Sequence, residues 1–229
     1  MNNNDRDKAL YRYPDSDVLR NRLGITDAGQ LEHVEFLLVS QRLEEAIPKG
    51  NFDLPHLQKI HRHLFQDVYD WAGEIRKVDI GKGGFGFHPH GRIEMGMADV
   101  HKRLDQQSYL RGLHRDKFVV EAAEYIGDVN RLHPFREGNG RTQLQYLKQL
   151  GEQADHKIDL SRFERKSWIQ ASIEANKFET TRMADCINKS IVDHSVQHTT
   201  SRQSYVEEQR KRAKAAQDRA KTRDRDPKR

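Results

Sequence analysis

The chain has 229 residues, of which 35% are hydrophobic and 33% charged. That is enough for one full domain, and the low apolar share places part of the length outside any core. A single cysteine, Cys186, excludes an internal disulfide and fits a reducing cytoplasm; the start has no apolar signal region and no run approaches a membrane span. The net charge of +5 is uneven: residues 202–229 hold 11 Lys/Arg and 5 Asp/Glu, so 1–201 is near −1.

In chain order, residues 1–12 are polar and are expected to be loose. Asp15 or Ser16 could cap a short helix through Leu23, ended by Gly24. A longer helix opens at Asp27 or Ala28, with Leu31, Val34, Leu37, Leu38, Leu43 and Ala46 near helical spacing, and Pro48-Lys49-Gly50 stops it. Leu54–Tyr69 reads as the next helix, with Leu57, Ile60, Leu64, Phe65 and Val68 inward. His56, His61 and His63 crowd it without an i, i+4 histidine pair, and they read as surface and capping groups rather than metal ligands.

Lys77-Val78-Asp79-Ile80 alternates and predicts a strand. Gly81-Lys82-Gly83-Gly84-Phe85-Gly86 then spells G-x-G-x-x-G, but His88-Pro89-His90-Gly91 follows where a dinucleotide fold needs a helix. The better reading is a hairpin over 77–90 with a glycine-rich turn. Helices are expected over 93–110, 115–130, 141–152, 160–173 and 181–192.

Between the second and third of these helices lies His133-Pro134-Phe135-Arg136-Glu137-Gly138-Asn139-Gly140-Arg141. Proline and two glycines break the helical pattern, so the stretch is an interhelical loop. A glycine-rich turn entering a helix presents unpaired N–H groups that suit phosphate, and Arg141 adds a fork-shaped cation. Glu137 suits Mg²⁺, which takes one or two carboxylates plus substrate phosphates. His133 can accept a proton at neutral pH. Together they describe attack on a nucleotide phosphate by a hydroxyl that His133 deprotonates. Phe135 is read as pinning the loop into the core, and Arg136 has no role beyond solvent.

These residues resemble the Fic family, whose motif is H-x-F-x-[D/E]-G-N-G-R-x-x-R. The last position departs from it: Leu144 stands where the family has arginine. Leu64-Phe65-Gln66-Asp67-Val68-Tyr69-Asp70-Trp71-Ala72-Gly73-Glu74-Ile75-Arg76 is similar to the family's upstream block, and Tyr13-Pro14 with Asn21-Arg22-Leu23-Gly24-Ile25 to the start of bacterial Fic toxins. The resemblance implies an all-α Fic-type helical domain over 8–197, a small β-hairpin flap over the active site, and a basic tail over 198–229. It implies transfer of AMP from ATP to a Ser, Thr or Tyr of a target protein, with His133 as base, Mg²⁺ on Glu137, the α-phosphate on Gly138, Asn139 (its side chain included) and Gly140, and the β-phosphate on Arg141. The segment around Ala171–Asn176 would border the adenosine pocket. Val78, Asp79 and Ile80 would dock the target by main-chain pairing. Phe87 either presses on the target side chain or simply packs.

Family members that inhibit themselves carry [S/T]-x-x-x-E-[G/N]; Ser40–Glu44 and Ser204–Glu208 come close and fail at the next residue. That is similar to bacterial toxins restrained by a separate antitoxin supplying the inhibitory glutamate, with topoisomerase ATPase subunits as targets. Leu144 leaves two readings, packing beside Leu147 or relaxed recognition of the γ-phosphate. A Fic enzyme moving UMP or phosphocholine, or a non-catalytic binding module, are the alternatives. The tail lacks aromatics beyond Tyr205, so a solvated helix or disordered tail is preferred to a nucleic-acid site, and secretion into a host cell stays open beside a bacterial cytoplasmic location.

Overall fold

A computed structural model describes residues 2–82 and 84–192. Among them are eight α-helices: α1 (Asn3–Tyr11), α2 (Ala28–Glu44), α3 (Leu54–Phe65), α4 (Ile93–Gln106), α5 (Arg115–Leu132), α6 (Asn139–Gln153), α7 (Arg165–Ala175) and α8 (Thr181–Ser190). Two short strands, β1 (Gly81–Lys82) and β2 (Phe85–Gly86), pair antiparallel with Gly81 opposite Gly86. The compact unit ends at Ile191, and the expected tail over 198–229 lies outside the described residues. No described helix is long and apolar enough to cross a membrane.

The architecture is helix on helix, centred on α5. Phe118, Ala122, Ala123 and Ile126 on α5 are completely buried, and the helix packs against α4, α6, α7 and α8. Gly127 brings α5 close to the start of α8: a Cβ there would lie 3.0 Å from the Thr180 methyl. Helix starts follow capping chemistry. Asp27 accepts from the Gln30 N–H at 2.8 Å, Asp53 from His56 at 2.8 Å, and Glu164 from Ser167 at 2.6 Å.

Several local expectations fail for identifiable reasons. Residues 3–11 are helical rather than loose, capped by Asn2, and Asp7 on α1 is anchored to the distant Arg136. The helix expected from Asp15 or Ser16 to Leu23 does not form; the Asn21 side chain instead accepts the Leu23 and Ile25 N–H groups and closes a turn. On α2 the buried stripe is Leu31, Glu35, Val39, while Phe36, Leu37 and Leu43 are exposed. The strand expected at 77–80 is not one. Arg76 and Asn3 bind the carbonyls of Val78 and Asp79, and β pairing starts only at Gly81.

The histidines of α3 also correct the sequence reading. His56 and His61 are buried. His61 Nδ1 accepts the Gly73 N–H at 2.8 Å, so its Nε2 carries the proton and donates to the Glu137 carbonyl at 3.0 Å. Its ring stacks on Phe135 with centroids 3.9 Å apart. It is a peg for the glycine-rich loop, not a surface group. Its place in the sequence could not show this, because its partners lie 12 and 76 positions away.

Burial keeps His61 neutral, pulling its pKa down to about 3. In the unfolded chain a histidine takes up its proton near pH 6.5, roughly. Below that the unfolded state binds more protons, so the folded state loses stability as pH falls from about 6.5 toward 3. By pH 5, a drop of about 1.5 pH units, this amounts to about 2 kcal/mol; at pH 7 it is negligible. His61→Gln removes the titration, so its stability deficit relative to the parent should shrink by about that amount between roughly pH 7 and pH 5 in urea melts. A constant deficit would mean that His61 is not held neutral.

Candidate active site

The loop between α5 and α6 is held from behind by one buried cation. The Arg76 side chain has no solvent exposure. It donates to the carbonyls of Val78 (2.6 Å), His133 (2.8 Å), Leu132 (3.2 Å) and His88, while its backbone N–H reaches the Pro134 carbonyl at 2.8 Å. Burial pulls the Arg76 pKa below the usual guanidinium range, and nearby Asp79 partly offsets that. This clamp supports His133 in a left-handed backbone conformation, φ 45 and ψ 63, a costly geometry for a non-glycine residue.

The His133 ring is fixed as well as its backbone. Its Nδ1 lies 3.1 Å from the Asn130 carbonyl. A carbonyl only accepts, so Nδ1 carries a hydrogen, and in the neutral ring the lone pair is on Nε2. Phe87 stacks face to face on the imidazole, with centroids 3.6 Å apart and planes 13° from parallel.

Phe135 is buried, as its apolar character in a polar loop suggested. Asn139 staples the loop to it: Asn139 Oδ1 accepts the Phe135 N–H at 2.9 Å and Nδ2 donates to the Phe135 carbonyl at 2.7 Å. The Asn139 side chain is therefore turned to the loop itself, and what it offers a ligand is its backbone N–H. Gly138 caps α6 with φ 80, and a Cβ there would lie 2.4 Å from the Phe65 ring. Only glycine meets both demands. Thr142 N–H takes the Gly138 carbonyl at 3.1 Å, which leaves the N–H groups of Asn139, Gly140 and Arg141 at the open helix start.

The two arginines of the loop behave differently from expectation. Arg136, read as solvent-facing, forms a two-pronged pair with Asp7 of α1 at 2.6 and 3.0 Å. Burial would raise the Asp7 pKa, but Arg136 and Arg12 outweigh it and hold the carboxyl below its usual range. Arg141 donates to Glu35 of α2 at 2.6 Å and lies 4.6 Å over the Phe65 ring. Glu35 also accepts from the Tyr69 hydroxyl, which burial and the carboxylate keep protonated. Sequence reasoning missed Glu35. Its signal was available: an acid four residues from both Leu31 and Val39 on the buried face.

A pocket of about 340 Å³ opens beside the loop. Its lining includes His133, Arg136, Glu137, Asn139, Gly140 and Gln143 of the loop and α6, Asn130 of α5, Ile80, Gly81 and Phe87 of the hairpin region, and Trp168, Ile169, Ser172, Ile173 and Asn176 around α7. Asn130 Nδ2 bonds the Ser172 carbonyl and Asn176 Oδ1, both at 2.9 Å, tying α7 to α5 beneath it. Arg141 and Leu144 are not among the lining residues; Leu144 is half-buried and packs on the core. Of the expected docking residues, Val78 is fully buried, Asp79 has its backbone N–H and carbonyl on the Asn3 side chain and its carboxylate on His90, and Ile80 and Phe87 face the pocket. Glu137 is half-exposed, with Oε1 accepting the Gly138 N–H at 2.9 Å.

The Glu35–Arg141 contact makes a quantitative expectation. Glu35→Ala should cost about 1.5–3 kcal/mol in urea unfolding, the range for a hydrogen bond to a charged group. Combined with Arg141→Ala, the loss should be less than additive by about 1 kcal/mol or more. Strict additivity would mean that the pair does not hold Arg141 in place.

Comparison with known proteins agrees with the motif. Residues 51–150 match the Fic/DOC family. The chain is 39% identical over 189 residues to the protein adenylyltransferase VbhT of Bartonella schoenbuchensis, covering 81% of this chain but only 40% of that longer protein. It is 37% identical over 180 residues to y4lH of Sinorhizobium fredii, named a probable protein adenylyltransferase, covering 78% of this chain and 94% of the relative. Among solved structures, BepC of Bartonella tribocorum, a VirB-translocated effector with bound AMPPNP, superposes with a TM-score of 0.75 at 27% identity, over 80% of this chain and 97% of that one. The chain thus belongs to the Fic/DOC family and by this kinship is a nucleotidyltransferase of the protein adenylyltransferase group.

Proposed function

We propose that this protein transfers AMP from ATP to the hydroxyl of a Ser, Thr or Tyr on a target protein. The observation that carries the reading is the placement of His133, with its lone pair on Nε2, in the same pocket as the open N–H groups of α6 and an apolar wall from α7. The α6 start takes the α-phosphate, because anions are favoured at unpaired helix N–H groups. Ile169 and Ile173, whose exposure on α7 is otherwise unfavourable, take the flat face of the base. The target hydroxyl attacks the α-phosphorus in line as His133 Nε2 removes its proton. The new bond joins the hydroxyl oxygen to phosphorus, and the bond to the bridging oxygen breaks to release pyrophosphate.

Mg²⁺ fits this site. Glu137 presents a half-exposed carboxylate at the pocket with only one oxygen engaged by Gly138, and Mg²⁺ asks for one or two carboxylates with phosphates and water completing its shell. When bound, it would supply neutralisation of charge on the phosphate oxygens. Arg141, fixed by Glu35, adds positive potential at the end of the cradle for the β-phosphate. Target docking on the hairpin region centres on Ile80 and Phe87, because Asn3 already takes the Asp79 main chain.

The biological setting we propose is a bacterial toxin acting in the cytoplasm on topoisomerase ATPase subunits and restrained by a separate antitoxin. What supports it is the failure of Ser40–Glu44 and Ser204–Glu208 to complete the self-inhibitory pattern. Delivery into a host cell is the competing setting, supported by the effector relatives.

Incubation with ATP labelled at the α-phosphate and a bacterial lysate should label a protein band. His133→Ala should reduce transfer by about 10²-fold or more with the melting temperature unchanged, and Glu137→Ala should abolish the Mg²⁺ dependence. Equal labelling by His133→Ala would sink the mechanism, and labelling from UTP in preference to ATP would replace the nucleotide.

A further inference from the structure

Among the described residues that line the pocket, one has a buried polar side-chain atom without a hydrogen-bond partner. Gln143 on α6 is 2% exposed, lines the pocket, and has a buried side-chain amide nitrogen with no hydrogen-bond partner. Trp71 Nε1 and His101 Nδ1 share that condition among the described residues, but neither residue lines this pocket. A buried amide end without a partner is unfavourable and uncommon in folded proteins. It is understandable where a ligand brings the missing partner.

The position of Gln143 narrows what that ligand group is. It lies four residues after Asn139 and three after Gly140, on the same face of α6. Helical side chains lean toward the N-terminus, so its amide reaches back toward the open N–H groups without sharing their place. The phosphate is already served at the helix start. The base is served by the apolar residues Trp168, Ile169 and Ile173. Between the two comes the sugar. A ribose hydroxyl both donates and accepts, which matches an amide in either orientation.

We propose that Gln143 is the sugar-reading residue of the nucleotide site, its amide hydrogen-bonding a ribose hydroxyl of ATP. The assignment rests on the adenylyltransferase reading and adds to it a specificity for ribonucleotides over deoxyribonucleotides. It also gives a reason for burying an amide without a protein partner beside Tyr146 and Leu147 on the inner face of α6.

Calorimetric titration of the full chain with ATP, 2′-deoxy-ATP and 3′-deoxy-ATP in the presence of Mg²⁺ tests it. The parent protein should bind one of the two deoxy forms roughly tenfold more weakly than ATP. Gln143→Met keeps the length and removes the hydrogen bonds. It should bind ATP as weakly as the parent binds that deoxy form and should no longer tell them apart. Gln143→Glu, which places a negative charge beside the phosphates, should bind all three more weakly still. Equal binding of all three by the parent overturns the proposal without needing any variant to fold. So does a Gln143→Met protein that weakens ATP and both deoxy forms by one factor, since the contact would then lie on the phosphate or the base. If the parent bound no adenine nucleotide at all, the adenylyltransferase reading would fail first, and that outcome is distinct from loss of sugar discrimination alone.

Discussion

The site depends on a single buried guanidinium. Arg76 gathers carbonyls from the approach to the hairpin, from its exit and from the end of α5, and so joins both sides of the hairpin to a helix end 56 positions away in sequence. A charge without solvent is unfavourable unless every donor finds an acceptor. Here one of the acceptors is the His133 carbonyl at the start of the loop, so the demand of Arg76 for partners becomes a constraint on where His133 can be. The left-handed backbone at His133 persists because the surroundings over-determine it.

Behind that clamp a second set of side-chain contacts pins the loop. His61 holds the Glu137 carbonyl and stacks on Phe135, Asn139 closes the loop on the Phe135 backbone, and Phe65 leaves room only for glycine at 138. The block from Leu64 to Arg76 that accompanies the motif has a physical meaning in these terms. Its Phe65, Tyr69 and Arg76 are the supports of Gly138, Glu35 and His133 in turn. Pre-organisation of this kind fixes His133 and the open start of α6 in place before any ligand arrives.

Charge pairing gives the loop's arginines separate duties. Arg136 is tied to Asp7 and thereby fastens α1, a polar helix with no apolar stripe of its own, to the pocket rim. Arg141 is tied to Glu35 and through it to Tyr69. Neither partner is near in sequence, and both partners are acids that composition alone would place at the surface. Leu144 belongs with the packing residues of α6.

The sequence by itself determined the helical class, the loop between α5 and α6, the family, and the apolar pin Phe135. Those are local matters: helical period, proline and glycine breaks, and a nine-residue pattern whose chemistry is carried by residue type. Only the tertiary structure decided that His56 and His61 are interior, that 3–11 is a helix, that Glu35 faces inward on α2, and that Asn139 serves the loop with its side chain. The physical reason is the same in each case. A polar side chain is stable inside when a partner meets it, and the partners here stand 76 positions from His61, 129 from Asp7 and 106 from Glu35. Periodicity records which residues are apolar, but it holds no record of which polar groups will find each other once the helices pack.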